Sequence, residues 1–359
     1  MSFDCSSLKA YSGYYKDTQK LLQSASGGAA NVISEAIIKN GGVVFGACYS
    51  PDFRTAEFAY VDRPEDLGRL KGSKYIPTLK RVLLDGEYVP LWLLVAEKLK
   101  EGREILFTGL DCDVAALKSY LKANHVDSSR LYTVDLICYG PTLTEIHRQY
   151  VESLEKKYHS RLKSFSVRHK AKGWTPYHIR AEFEDGREFV TRFYNTDYGE
   201  AFGIGYSRET CYKCKFKGMN HQADITVGDF WGMQPEMEGW NPNGVSIFFV
   251  RTPKGEELMS RIDPKEFALR PADANFAAEH NVMFYTSRNK PKDYRKFCDD
   301  LVSYGLHKAV VNHYGGTVKY FAFRVKKLLR KIFFIGKQLA KKVTPAPIWQ
   351  MLKKILRRK

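Results

Sequence analysis

Acidic side chains are missing from the last sixth of this chain: from Leu301 to Lys359 there are 15 Lys or Arg and no Asp or Glu. The 359 residues carry a formal charge of +17, so the first 300, with 42 basic and 40 acidic residues, are nearly neutral. A body of that balance lacks the basic field of a nucleic-acid binder, and no base-stacking platform is evident; nucleic acid is not an expected partner. Cysteine is scarce too. Cys5, Cys48, Cys112, Cys138, Cys211, Cys214 and Cys298 are too few for a disulfide scaffold in a chain of this size. No stretch supplies ~18 uninterrupted apolar residues, and the opening "MSFDCSSLKAYSGYYKDTQK" lacks the apolar centre of a signal peptide. The expectation is a cytoplasmic protein with reduced thiols. Internal repeats, low-complexity segments and both common phosphate fingerprints, G-x-G-x-x-G and G-x-x-x-x-G-K-S/T, are absent.

What is present reads as α/β. "AANVISEAIIKN" repeats Val32, Ile33, Ala36 and Ile37 at helical spacing before the stop Gly41-Gly42. Two strand-like runs follow, "VVFGACYS" and "TAEFAYVD". "RPEDLGRLKGSKYIPTLKRVLL" reads as a short helix, a glycine break and a second helix. Strand "EILFTG", helix "DVAALKSYLKAN", strand "LYTVDLICYG" and helix "TLTEIHRQYVESLEKKY" then alternate as in parallel βαβ units. Period-two runs around Glu184-Asp185-Gly186 predict a hairpin, and "DITVGDFW" and "GVSIFFVRT" two further strands. The expected fold is α/β: a mixed sheet with parallel βαβ units, an antiparallel hairpin insertion and a C-terminal amphipathic helical tail. Expected segments are a lead over 1–23, family-domain parts over 24–98 and 99–255, a helical appendage over 256–316 and the tail over 317–359.

Three segments bear chemistry. "SASGG" at 24 to 28 sets small residues and free N–H groups before a helix, and "KGSKY" at 71 to 75 adds lysines and a hydroxyl in a break. Both suit phosphate, and both suit ordinary capping or a solvated loop. The third is "CYKCKFKGMNHQADITVGDFWG", residues 211 to 232. Cys112 lies in the first turn of a helix after one strand, and Cys138 ends the next. Neighbouring parallel strands open their carboxyl ends at one edge, where α/β sheets bind ligands. With Cys211 and Cys214 they make a set of four, which spacing alone leaves open between an iron–sulfur cluster, a structural zinc and unrelated thiols. "CYKC" does not open a helix after a strand, which speaks against thioredoxin-like exchange. Cys48, in an apolar strand, reads as core.

Together "SASGG", "GGVVFGA", "LKGSKY", "ILFTGLDCDVAALKSYL", "LYTVDLICYG" and the 211–232 stretch resemble the beta subunits of coenzyme F-420-reducing hydrogenase and F-420-linked dehydrogenases. Relatives in that family include plant 7-hydroxymethyl chlorophyll a reductase and proteins of polysaccharide gene clusters. The resemblance implies FAD beside one 4Fe-4S cluster, with Cys112, Cys138, Cys211 and Cys214 as cluster ligands. It implies flavin contacts at Ser26, Gly27, Gly28, Gly72, Ser73 and Lys74. Asp229 would orient a polar group near the cofactor, and Tyr139 takes the place where relatives have His, with a far higher ordinary pKa. Relatives also read Gly-Thr-Pro-Cys-Gln where this chain reads Gly109-Leu110-Asp111-Cys112-Asp113. Two ionised carboxylates there would lower a cluster's reduction potential. With no ferredoxin-like module ahead of residue 24, electrons are expected from an external carrier such as ferredoxin. The implied activity is an oxidoreductase acting on a small-molecule or polysaccharide-precursor substrate. The alternatives are a zinc-stabilised, non-redox interaction protein and a transferase acting on a lipid-linked sugar.

The tail "YFAFRVKKLLRKIFFIGKQLAKKV" puts Val325, Leu328, Leu329, Ile332, Ile335 and Leu339 near one helical face opposite Lys and Arg. "IWQMLKKILRRK" repeats the pattern after Pro345 and Pro347. Such a helix is expected to lie on an anionic membrane surface, which would place the protein peripherally on the inner membrane face.

Overall fold

The β-branched and aromatic runs of the chain pair into two sheets, shown in a computed structural model that describes residues 4–343. The strands are β1 (Lys9–Tyr15), β2 (Val43–Tyr49), β3 (Ala56–Val61), β4 (Thr78–Leu84), β5 (Glu87–Pro90), β6 (Ile105–Gly109), β7 (Leu131–Leu136), β8 (Leu162–His169), β9 (His178–Phe183), β10 (Glu188–Arg192), β11 (Ile225–Asp229), β12 (Ser246–Val250) and β13 (Phe267–Ala272). Ten form one mixed sheet in the order β13-β1-β12-β11-β7-β6-β2-β3-β4-β5. Its middle, β11-β7-β6-β2, is parallel. These strands are apolar on both faces because helices cover both. On one face the helix Ala29–Lys39 buries Val32, Ile33, Ala36 and Ile37, the residues its spacing marked. On the other, Leu91–Lys100 and Asp111–Ala123 bury Leu94, Val95, Val114, Leu117 and Leu121. Cys48 is in the core, as expected.

The insertion is the three-stranded antiparallel sheet β10-β9-β8. Its β9–β10 turn is closed by the Gly186 N–H donating to the Phe183 carbonyl at 3.0 Å, where the sequence placed a hairpin.

Three expectations need correction. "TLKRVLL" is strand β4, not a helix. Thr78 and Val82 pair with β3, and Asp85-Gly86, both with positive φ (50° and 87°), turn the chain into β5. The helix follows at Leu91–Lys100. The second correction concerns boundaries. Strand β1 lies between β12 and β13, and β13 comes from the expected appendage, so residues 23, 98 and 255 separate nothing: residues 4–292 form one compact unit. Finally, β7 stops at Leu136, two residues before Cys138.

The second unit begins at Asp293 and contains the helices Tyr294–Tyr304, Leu306–His313 and Thr317–Val343. In the last of these, Val318, Phe321, Val325, Leu328, Leu329 and Ile332 are exposed or nearly so on one face. The second basic helix expected in "IWQMLKKILRRK" lies outside the described residues. Among the described residues no helix is long and apolar enough to cross a membrane.

Candidate functional site

The parallel register of β6 and β7 aligns their carboxyl ends, Gly109 opposite Asp135, and sets the chain segments that leave them side by side. From β6 the chain enters the helix Asp111–Ala123 directly, which puts Cys112 in its first turn. Asp113 holds that turn, one oxygen accepting from the Leu110 N–H at 3.4 Å and the other 2.7 Å from Lys80 Nζ. Beyond β7, Gly140 adopts φ +90° and turns its N–H onto Cys138 Sγ at 3.3 Å. A Cβ there would meet Arg288 Cδ at 3.1 Å and Ser207 Oγ at 3.2 Å, so only glycine fits.

The segment carrying the cysteine pair is pinned from within and without. The Tyr212 hydroxyl accepts from the Ser207 N–H and donates to the Gly205 carbonyl, both at 2.9 Å. The Cys214 N–H donates to Ser287 Oγ at 3.1 Å. Lys217 Nζ donates to the Cys138 carbonyl at 2.8 Å and the Met283 carbonyl at 2.6 Å, tying the pair to the β7 loop.

All four cysteines consequently line one pocket of about 460 Å³, its mouth included, with Arg208, Lys217 and Arg288 and the apolar Leu110, Leu136 and Phe216. Tyr139 lines it as well, 42% exposed, with the Arg288 guanidinium 4.2 Å above its ring. Among the described residues, no three of these sulfurs lie within 4.8 Å of one another. A single tetrahedral zinc needs a tighter group, since Zn–S bonds of ~2.3 Å hold its sulfurs about 3.8 Å apart. Burial, helped by Asp113 and Cys138, pushes the Cys112 thiol up to about 12, and burial pushes Cys138 up to about 11. Neither is a nucleophile by itself at neutral pH; a bound metal would deprotonate both.

The other residues marked in the sequence mostly serve the chain's own packing. The Ser26 hydroxyl donates to the Val245 carbonyl at 2.8 Å. Gly27 sits where a Cβ would come 2.1 Å from the Gly13 carbonyl oxygen, and Gly28 where one would strike the Tyr15 ring at 2.4 Å. Gly72 faces open space with φ +80°. Lys74 Nζ donates to the Leu70 and Lys71 carbonyls at 3.0 and 2.9 Å, and burial lowers it to about 8. Ser73 lies near the Tyr75 hydroxyl. The Tyr75 carbonyl accepts from both Thr142 N–H and Oγ1 at 2.8 Å, which docks this loop beside the segment after Cys138.

Asp229 ends β11, held by both terminal nitrogens of Arg168 (2.7 and 2.8 Å) and by Trp174 Nε1 (2.8 Å). Trp174 stacks flat on Trp231, centroids 4.8 Å apart, and Arg168 lies 4.3 Å over Tyr177. Sequence reasoning passed over Arg168, and also Lys170, whose buried amine donates to the Leu21 and Ser26 carbonyls at 2.7 Å. Both stand on one face of "SVRHK", which period two alone marks as polar and outward.

His221 was also missed. It stacks on Phe284, and its Nδ1 lies 2.6 Å from Asp135 and 3.9 Å from Asp111. Burial holds this imidazole down at about 4, and raises Asp111 to about 7 and Asp135 to about 6, Asp135 adding to the rise at Asp111.

Comparison with known proteins finds, over residues 102–274, a match to the family described as the C terminus of the beta subunit of coenzyme F420 hydrogenase/dehydrogenase. A solved chain from the xenon-derivatised F420-reducing NiFe hydrogenase complex of Methanosarcina barkeri has a similar fold. The TM-score is 0.51 at 16% identity, over 83% of this chain and 94% of that one. No curated protein matches. The matched segment contains Cys112, Cys138, Cys211, Cys214 and Asp229, and over it the chain is similar to the beta subunits of coenzyme F420 hydrogenase/dehydrogenase.

Proposed function

We propose that this chain is an iron–sulfur flavoprotein oxidoreductase. It passes electrons between an external one-electron carrier, or a deazaflavin, and a small-molecule or polysaccharide-precursor substrate. The observation that carries the reading is the sulfur arrangement: four cysteines around one pocket, spread more widely than a single zinc requires. A 4Fe-4S cluster supplies one-electron steps there, and FAD links them to two-electron chemistry.

The chain's own contribution is holding and charge balance. Cys112, Cys138, Cys211 and Cys214 are the ligands, and Arg208, Lys217 and Arg288 offset the thiolates. Leu110, Leu136 and Phe216 limit water, which with the cations tunes the potential. For the flavin, Gly72 with its open surroundings and Ser73 offer the fit, and Ser26, Gly27 and Gly28 shape the neighbouring turn. Asp229, fixed by Arg168, orients Trp174 and, through it, the Trp231 plane.

Replacing Cys211 and Cys214 together by Ser tests the ligand set. Iron and sulfide are expected to fall to background in protein that keeps its far-ultraviolet circular dichroism. Iron retained at the wild-type level would refute the assignment.

The tail suits an anionic membrane surface, because its exposed apolar face is flanked by Lys319, Arg324, Lys326, Lys327 and Arg330. Removing residues 318–359 is expected to abolish sedimentation with anionic vesicles; undiminished binding would contradict the role.

A further inference from the structure

Beneath the cysteines lies a group that the redox reading does not use. Asp111, Asp135 and His221 are 3%, 0% and 8% exposed. Each presents one oxygen or nitrogen to a common point, all three atoms within 4.8 Å of one another. Asp111 Oδ2, Asp135 Oδ1 and His221 Nε2 have no hydrogen-bond partner. Of these, Asp111 Oδ2 faces His221 Nδ1 at 3.9 Å, beyond hydrogen-bond reach, and a buried oxygen left so carries its desolvation penalty uncompensated. Arg251, Lys118 and Lys217 are the neighbouring positive charges, but the Arg251 donors go elsewhere, to Thr226 Oγ1 at 2.9 Å and the Gly218 carbonyl at 2.8 Å.

We propose that Asp111, Asp135 and His221 form a second metal site, separate from the cysteines, for one divalent first-row transition ion. Two carboxylate oxygens and an imidazole nitrogen are the donors that zinc, iron(II) or manganese(II) accept, and no sulfur belongs to the set. Bonds of ~2.1 Å place ligand atoms roughly 3 to 4 Å apart around an ion. The 3.9 Å between His221 Nδ1 and Asp111 Oδ2 already suits that; the 2.6 Å contact between Nδ1 and Asp135 Oδ2 is a hydrogen bond, which the ion would replace as the proton leaves and the two atoms move apart. Both frames are rigid. The Gln222 N–H holds the other Asp111 oxygen at 2.7 Å, and Asp135 stands in the middle of the parallel sheet. Asp111 and His221 also line the cysteine pocket, which is the ion's way in.

Manganese(II) is the probe of choice, because thiolates select softer ions and leave it to the oxygen and nitrogen donors. Chelator-washed full-length protein is titrated with Mn²⁺ at mildly alkaline pH, and free ion is followed by its electron paramagnetic resonance signal. Saturable uptake of one ion per chain is expected. Asp135→Asn and His221→Gln should each weaken it about tenfold or more, and Cys211→Ser should leave it unchanged. Spin-echo modulation from one imidazole nitrogen on the bound ion of the wild type decides the matter even where a variant fails to fold. No saturable uptake, meaning that the two carboxyls share a proton instead, would overturn the site; so would bound ion without the nitrogen signal. Neither result depends on the iron content of the cysteine pocket, so failure here leaves the redox reading standing.

Discussion

Asp111 and Asp113 flank the same cysteine and meet opposite fates. Asp113 is paired with Lys80 at 2.7 Å, whereas Asp111 is buried and raised to about 7. The negative field expected at Cys112 is therefore smaller than two free carboxylates would give. Buried histidine offers a clean test of such burial effects. His147 is fully buried, shares a 2.7 Å hydrogen bond with the Phe53 carbonyl, and is held down at about 4 by desolvation from an ordinary 6.5. The unfolded chain then takes up the proton first, so the stability from His147 is complete above 6.5 and is lost as pH falls toward 4. The size is on the order of 3 kcal/mol. Urea unfolding across that range should show a shallower acid loss for His147→Gln than for wild type; parallel curves would refute it. Likewise, Arg168→Met strands Asp229 in a nearly buried place and is expected to cost about 3 kcal/mol in the same assay. A loss below about 1 kcal/mol, the range of exposed pairs, would show the pair to be solvated.

Among the elements, the parallel core and the β9–β10 hairpin were legible because their signals are local: continuous apolar runs, period two, a Gly at the turn. The cysteine pair announced itself by spacing, and Cys112 and Cys138 by their places after successive strands. Strand β4 was not legible, since "TLKRVLL" has a helix-like mix of Leu, Lys and Arg and its identity comes from pairing with β3. Nor were Arg168, Lys170 and His221, whose partners lie 61, 144 and 86 residues away along the chain. "SASGG" shows the reverse case. Its glycines read as a phosphate cradle, but Gly27 is required because β1 passes so close that a Cβ would reach the Gly13 oxygen. Gly27→Ala is accordingly expected to lower stability by at least ~1–3 kcal/mol. Unchanged urea unfolding would show that the contact yields.

At the scale of the molecule, a nearly neutral α/β unit holds the pocket and a separate helical unit carries the positive charge. The tail's exposed Phe321 and Leu328 lie on its apolar face, so Phe321→Glu with Leu328→Glu should abolish vesicle binding without altering the pocket. Retained binding would leave only charge attraction, which added salt removes. The central claim rests on the pocket, and elemental analysis of anaerobically purified full-length protein, read with its visible spectrum, tests it most directly. Four irons and four sulfides per chain with broad visible absorption are expected. A colourless protein carrying zinc on its cysteines, or no metal there at all, would contradict the account.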